Sequence, residues 1–166
     1  MASKVFETSQ SLHADGIFID GGGVGGGVVD TCRHQHLYVW DVQFGSKPDY
    51  NTVTGNDGEK YANKRAEMYG AARAWLKTGA LPNDPEIRKQ FLAITYTYDR
   101  KDQILLERKE DIIKRAGLDS SPDDLDAFVL TFAQPLAPHQ NAGGDYPHKS
   151  LVESEYDPFA PERMVA

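Results

Sequence analysis

Gly16-Ile17-Phe18-Ile19-Asp20-Gly21-Gly22-Gly23-Val24-Gly25-Gly26-Gly27-Val28-Val29-Asp30 sets an apolar run and an acid directly before a glycine-rich turn. Ile17-Phe18-Ile19 is short, β-branched and aromatic, and predicts a buried strand ending on the Asp20 carboxylate. Six glycines then surround Val24, and glycine lets another chain or a ligand approach the backbone closely. From Val28 to Arg33 nothing breaks the chain, which predicts the opening of a helix. His36-Leu37-Tyr38-Val39-Trp40-Asp41 offers a second strand, spanning Leu37–Val42, so the segment reads as a β-α-β unit with parallel pairing.

Three readings of the glycines stand side by side. Gly21-x-Gly23-x-x-Gly26 fits a dinucleotide fingerprint, and Asp41 ends a second strand at about the right distance. Asp20 opposes that reading, since it sits where a pyrophosphate would have to come close. In the second reading Asp20 is a metal ligand at a strand end and the glycines make room for a phosphodiester. In the third, the segment is a tight strand-to-helix turn with an exposed aspartate.

The 166 residues amount to one domain, long enough to bury a core. No apolar run is long enough to span a bilayer and the N-terminus has no apolar signal core, which points to the cytoplasm and away from membranes. A single cysteine, Cys32, excludes an internal disulfide and a cysteine-cluster zinc site. The net charge of −7 argues against a protein that simply coats nucleic acid, but its distribution is uneven. Residues 1–59 carry 8 acids and 3 bases, residues 60–115 carry 13 bases and 8 acids, and residues 116–133 carry four acids and no base. A basic middle between acidic segments can set a phosphate-attracting surface beside a carboxylate cluster; on charge alone, solvated helix faces explain it as well.

Outward from the glycines, Met1–His13 has helical character. Phe44–Glu59 is a polar loop, expected to be mobile, with Gly45, Pro48, Gly55 and Gly58. Lys60–Lys77 predicts a helix on the apolar stripe Ala62, Ala66, Tyr69, Ala72 and Leu76. Asp84-Pro85-Glu86 is a capped helix start. Ala93–Asp99 and Ile104–Glu107 predict a β-hairpin, and Lys109–Ala116 a short helix closed by Gly117. Ser121-Pro122-Asp123-Asp124 opens the last helix, with serine as the expected cap, proline first and acids in the first turn. Leu125, Phe128, Val129 and Phe132 are its expected buried face, while Asp123 and Asp126 share the opposite stripe. Gln134–Ala166 has five prolines, Gly143-Gly144 and no sustained period, and reads as a flexible tail after a domain at 1–133.

Two carboxylates one turn apart, with a strand-end carboxylate elsewhere, suit divalent metal binding through oxygen ligands. The competing account of Asp123 and Asp124 is that acids in a first turn complement the helix dipole, an account that does not extend to Asp126. His34 and His36 have the spacing of a metal pair but read as exposed residues at a helix end, and Cys32 as a small buried residue. Arg65 and Glu67 could form local ion pairs, as on most charged helices.

Taken together, "FIDGGGVGGGVVD", "YANKRAEMYGAARAWLKTGAL", "YTYDRKDQILLERKEDIIKRAG" and "SSPDDLDAFVLTFAQPL" resemble the nuclease domain of tailed-phage terminase large subunits, over roughly residues 1–136. The resemblance implies an α/β, ribonuclease H-like nuclease fold and magnesium- or manganese-dependent endonuclease cutting of double-stranded DNA during genome packaging. It implies that Asp20 is the second acid of the metal site, with Asp123 and Asp126 the acids of the last helix. By the same resemblance, Lys64 and Arg65 are candidate DNA contacts. The tail, with Tyr156-Asp157-Pro158-Phe159, becomes a candidate contact to the portal of the procapsid.

The chain also departs from that pattern. The family's first nuclease strands, which carry the first metal-binding aspartate, are not in this sequence, and no phosphate-binding Gly-x-x-x-x-Gly-Lys-Ser/Thr loop occurs. Asp102 stands where relatives have a hairpin glycine, which predicts a looser turn. The expectation is therefore an N-terminally truncated nuclease domain in a bacterial host's cytoplasm, whose activity is open and whose uncovered strand favours a homo-oligomer. The alternatives are a nucleotide-binding β-α-β module using Gly21–Gly27, and a non-catalytic prophage remnant acting through oligomerisation.

Overall fold

The computed structural model describes residues 1–49 and 60–136. Its centre is the β-α-β unit. Strand β1 (Phe18–Asp20) leads through the glycine turn into α2 (Gly25–His34), which returns to β2 (Trp40–Val42). The strands pair in parallel, Phe18 opposite Trp40 and Asp20 opposite Val42. Helix α2 begins at Gly25, three residues earlier than the sequence pattern predicts, so three glycines form its first turn.

Side chains alternate across β1, and this alternation builds two layers of core. Ile17 and Ile19 face Val29, Cys32 and Val39, under α1 (Ala2–Leu12) and α2. Phe18 points the other way, with Trp40, into the larger cluster of Val42, Met68, Ala72, Leu125, Val129 and Ala133. That second layer consists of α3 (Lys64–Trp75) and α6 (Asp123–Leu130). With α1 and α2 on one face and α3 and α6 on the other, β1 and β2 sit inside an α/β arrangement.

The predicted helix at 60–77 starts at Lys64, because Asn63 is the cap: its side-chain oxygen accepts the Ala66 N–H. The residues before it, 60–62, run beside β4 instead, with Ala62 N–H bonded to Ile104 O and Ile104 N–H to Lys60 O. The hairpin itself forms as predicted, β3 (Tyr96–Tyr98) antiparallel to β4 (Ile104–Leu106). Its turn is tied, not loose. Asp102 takes the left-handed conformation at φ 59°, and the Asp99 carboxylate accepts the N–H groups of Lys101 and Gln103. Helix α4 (Pro85–Ala93) has Asp84 as its cap, and α5 (Lys109–Ala116) ends at left-handed Gly117.

Part of the loop expected to be mobile (50–59), the tail from 137 on and the candidate portal contact at Tyr156–Phe159 lie outside the described residues.

Candidate nuclease site

Asp20 stands at the end of β1, where the strand gives way to the glycine turn. Its Oδ1 accepts the Gly22 N–H at 3.0 Å, which fixes the side chain back over the turn. The glycines serve packing. A Cβ on Gly21 would collide with the Asp41 carboxylate and the Gln43 amide, and one on Gly25 would collide with the Asp20 carbonyl oxygen. A turn already filled by its own chain and flanked by Asp20 and Asp41 is a poor cradle for a pyrophosphate, which counts against the dinucleotide reading.

Helix α6 packs beside β1. Its first turn is held from outside. Pro122, not Ser121, is the N-cap, and the Ser121 hydroxyl is buried without a hydrogen-bond partner. Gln90 of α4 supplies the missing cap. Buried itself, it accepts the Leu125 N–H with Oε1 at 3.0 Å and donates from Nε2 to Asp124 Oδ2 at 3.1 Å.

Asp123 is exposed at the start of α6, but Asp126 is not its companion on an open stripe. Asp126 is buried, 6% exposed, and turned towards α3 and α5. Tyr69 donates its hydroxyl to Asp126 Oδ1 at 2.7 Å, Arg65 Nε lies 3.5 Å from the same oxygen, and Lys109 Nζ reaches Oδ2 at 2.5 Å. The Arg65 guanidinium also lies over the Tyr69 ring, and Lys109 over Phe44. Burial first, and then the charge and hydrogen bond of Asp126, push the Tyr69 phenol far above its ordinary pKa.

The two candidate DNA contacts sit inside the fold as well. Lys64 is 4% exposed. Its amine donates to Glu67 Oε2 at 2.8 Å and to Asp49 Oδ2 at 3.2 Å, while Glu67 Oε2 also accepts the Asp49 N–H. Arg65 Nη1 donates to the Glu107 carbonyl at 3.2 Å. The Asn63–Glu67 run therefore ties the base of the loop, the hairpin and α6 to one helix; Lys64 is paired inside the fold, while Arg65 Nε and Nη2 are buried without hydrogen-bond partners.

The sequence-predicted acids do not fit a divalent ion as a set of three. An ion of this kind needs several free oxygens, and Asp126 offers none that a cation or a phenol does not already touch. Among the described residues no three His, Cys, Asp or Glu side chains are grouped to hold a metal. Tyr69, Lys109 and Gln90, which position the acids of α6, carry no motif of their own. Only the tertiary structure brings them in, across 57, 17 and about 34 residues of chain.

The fold is shared with solved nuclease domains of a bacterial virus. The chain superposes on the nuclease domain of the large terminase subunit gp2 of bacterial virus Sf6 with a TM-score of 0.62 and 18% identity, covering 82% of this chain and 72% of that one. A mutant gp2c of the bacteriophage Sf6 large terminase subunit, solved with calcium, matches at TM-score 0.60 and 17% identity over 81% and 71% of the two chains. A mutant of the Sf6 nuclease domain with manganese gives 0.57 and 17% over 81% and 72%. No protein-family model and no curated protein matches the sequence. The chain has the α/β, ribonuclease H-like fold of terminase nuclease domains.

Proposed function

We propose that the chain serves as the nuclease domain of a phage terminase large subunit, cutting double-stranded DNA with magnesium or manganese during genome packaging. The observation that carries this reading is the placement of Asp20 at the end of a parallel strand with the acid-bearing helix α6 packed beside that strand, in a fold shared with the Sf6 domain. Relatives of that fold have been solved with calcium and with manganese, which supports a divalent-cation requirement here. Asp20, whose Oδ1 accepts the Gly22 N–H while Oδ2 has no hydrogen-bond partner among the described residues, and the exposed Asp123 are the carboxylates we assign to the cation. On this reading the protein works in the cytoplasm of a bacterial host. Its partners are DNA, the portal of the procapsid and further copies of itself.

The direct test is incubation of the full chain with supercoiled plasmid in millimolar manganese or magnesium. Nicked and linear products are expected, and Asp20→Asn should abolish them. A folded protein that leaves the plasmid intact with either metal overturns the reading.

A further inference from the structure

The fate of Asp126 separates this chain from the three-acid expectation. We propose that Asp126 is not a cation ligand but the anionic hub of a buried lock joining α3, α5 and α6, so that the cation-facing acid of α6 is Asp123. The assignment to Asp123 rests on the nuclease reading; the lock does not.

The geometry argues this in three ways. First, both carboxylate oxygens already contact protein donors or cations: Oδ1 accepts the Tyr69 hydroxyl with Arg65 Nε 3.5 Å away, and Oδ2, without a hydrogen-bond partner, forms an ion pair with Lys109 Nζ. Second, two cations, Arg65 and Lys109, contact this one carboxylate. A divalent ion entering here would face two like charges, that of Arg65 largely buried and that of Lys109 a third exposed, and would have to displace them from the carboxylate. Third, the hub is structural in its reach. Arg65 also holds the Glu107 carbonyl at the end of the hairpin, and Lys109 opens α5. A buried carboxylate with several cationic partners costs most when one partner is removed, because an unpaired charge stays behind.

Thermal unfolding and manganese uptake, the latter read from the free-ion electron paramagnetic resonance signal, test this on the full chain. Asp126→Asn and Lys109→Met should each lower the unfolding midpoint by roughly 4 °C or more, and the double variant should be no worse than the poorer single one. Asp126→Asn should bind manganese within about twofold of the unaltered protein, whereas Asp123→Asn should lose about tenfold or more. Should Asp126→Asn fail to fold, Tyr69→Phe takes its place, with a lowered midpoint and unchanged manganese affinity expected. Simple additivity of the Asp126 and Lys109 effects overturns the lock. A folded Asp126→Asn, or Tyr69→Phe in its stead, that loses about tenfold in manganese affinity overturns the assignment. If the unaltered protein takes up no manganese, the nuclease reading fails, and the coupling between Asp126 and Lys109 alone decides the lock.

Discussion

The ring of Tyr61 lies directly against Gly70, so closely that a methyl group on Gly70 would overlap the phenol oxygen and its ring carbon. Tyr61 is 2% exposed and bridges to Ile104 of the hairpin, so this contact seats β4 on α3. Gly70→Ala tests it with opposed effects. Alanine favours a helix interior by roughly 1 kcal/mol over glycine, whereas forcing a well-packed ring aside costs about 1–3 kcal/mol. Overpacking should win, and urea unfolding should show a net loss of stability. A more stable variant would mean that Tyr61 moves aside freely.

The glycine turn yields a graded series. A Cβ on Gly25 would strike the Asp20 backbone carbonyl, which has no side-chain freedom to yield, so Gly25→Ala should be the most damaging. Gly23 has open space around it but a φ of +59°, and alanine there should cost roughly 1 kcal/mol. Gly27 is inside α2 with nothing within 4 Å of a new methyl group, so alanine should be neutral or stabilise by up to about 1 kcal/mol. Thermal midpoints should fall in the order Gly27→Ala, Gly23→Ala, Gly25→Ala, and any other order contradicts the turn geometry.

Gln90 should matter more than its sequence context suggests. Gln90→Leu leaves the Leu125 N–H buried without its acceptor and frees Asp124, which should cost about 1–3 kcal/mol. Hydrogen exchange at Leu125 is the local readout, and unchanged protection there would remove Gln90 from its capping role.

Legibility in the sequence followed the range of the forces involved. The hairpin, α4 with its Asp84 cap, α5 with Gly117 and the parallel unit around Asp20 were readable, because turn chemistry, caps and periodicity are local. The start of α6 lies one residue beyond the point that Ser121-Pro122 indicates, because the acceptor for its first turn comes from Gln90 and not from the serine. Lys64, Arg65 and Asp126 look like surface charges in a charged helix and an acidic turn. Their burial depends on Asp49, Glu107, Tyr69 and Lys109, partners that no spacing rule brings near.

Acid should weaken the protein partly through Glu107. Its carboxylate accepts from Arg115 Nε and Nη2, and from the Thr95 hydroxyl at 2.6 Å. The Arg115 hydrogen bonds, then that of Thr95, hold the Glu107 carboxyl below the usual carboxylate range. A depressed pKa in the folded state means a contribution fully present above the ordinary value of about 4.3 and lost as pH falls through the depressed one. Glu107→Gln should therefore melt lower than the unaltered protein at neutral pH, with the two curves converging in acid. A gap independent of pH would show that the carboxylate's charge is not what Arg115 responds to.

The strand that carries Asp20 also bears on assembly. Both faces of β1 are covered, Phe18 by the α3–α6 layer and Ile17 and Ile19 by the α1–α2 layer, as expected for an interior strand of a sheet. Among the described residues its hydrogen-bonding neighbour is β2, on one side. Phe18-Ile19-Asp20 has no lysine, proline or bulge to discourage further pairing, and an apolar edge of this kind is a template for another strand. A second copy, related by a two-fold axis, offers the same edge and is the commonest solution. The chain should therefore sediment as a dimer or larger species at micromolar concentration. Because main-chain hydrogen bonds and apolar contacts hold such a pairing, high salt should leave it intact, unlike an association through surface charges. A monomer at every concentration reached would show that the open edge of β1 is covered from within the chain.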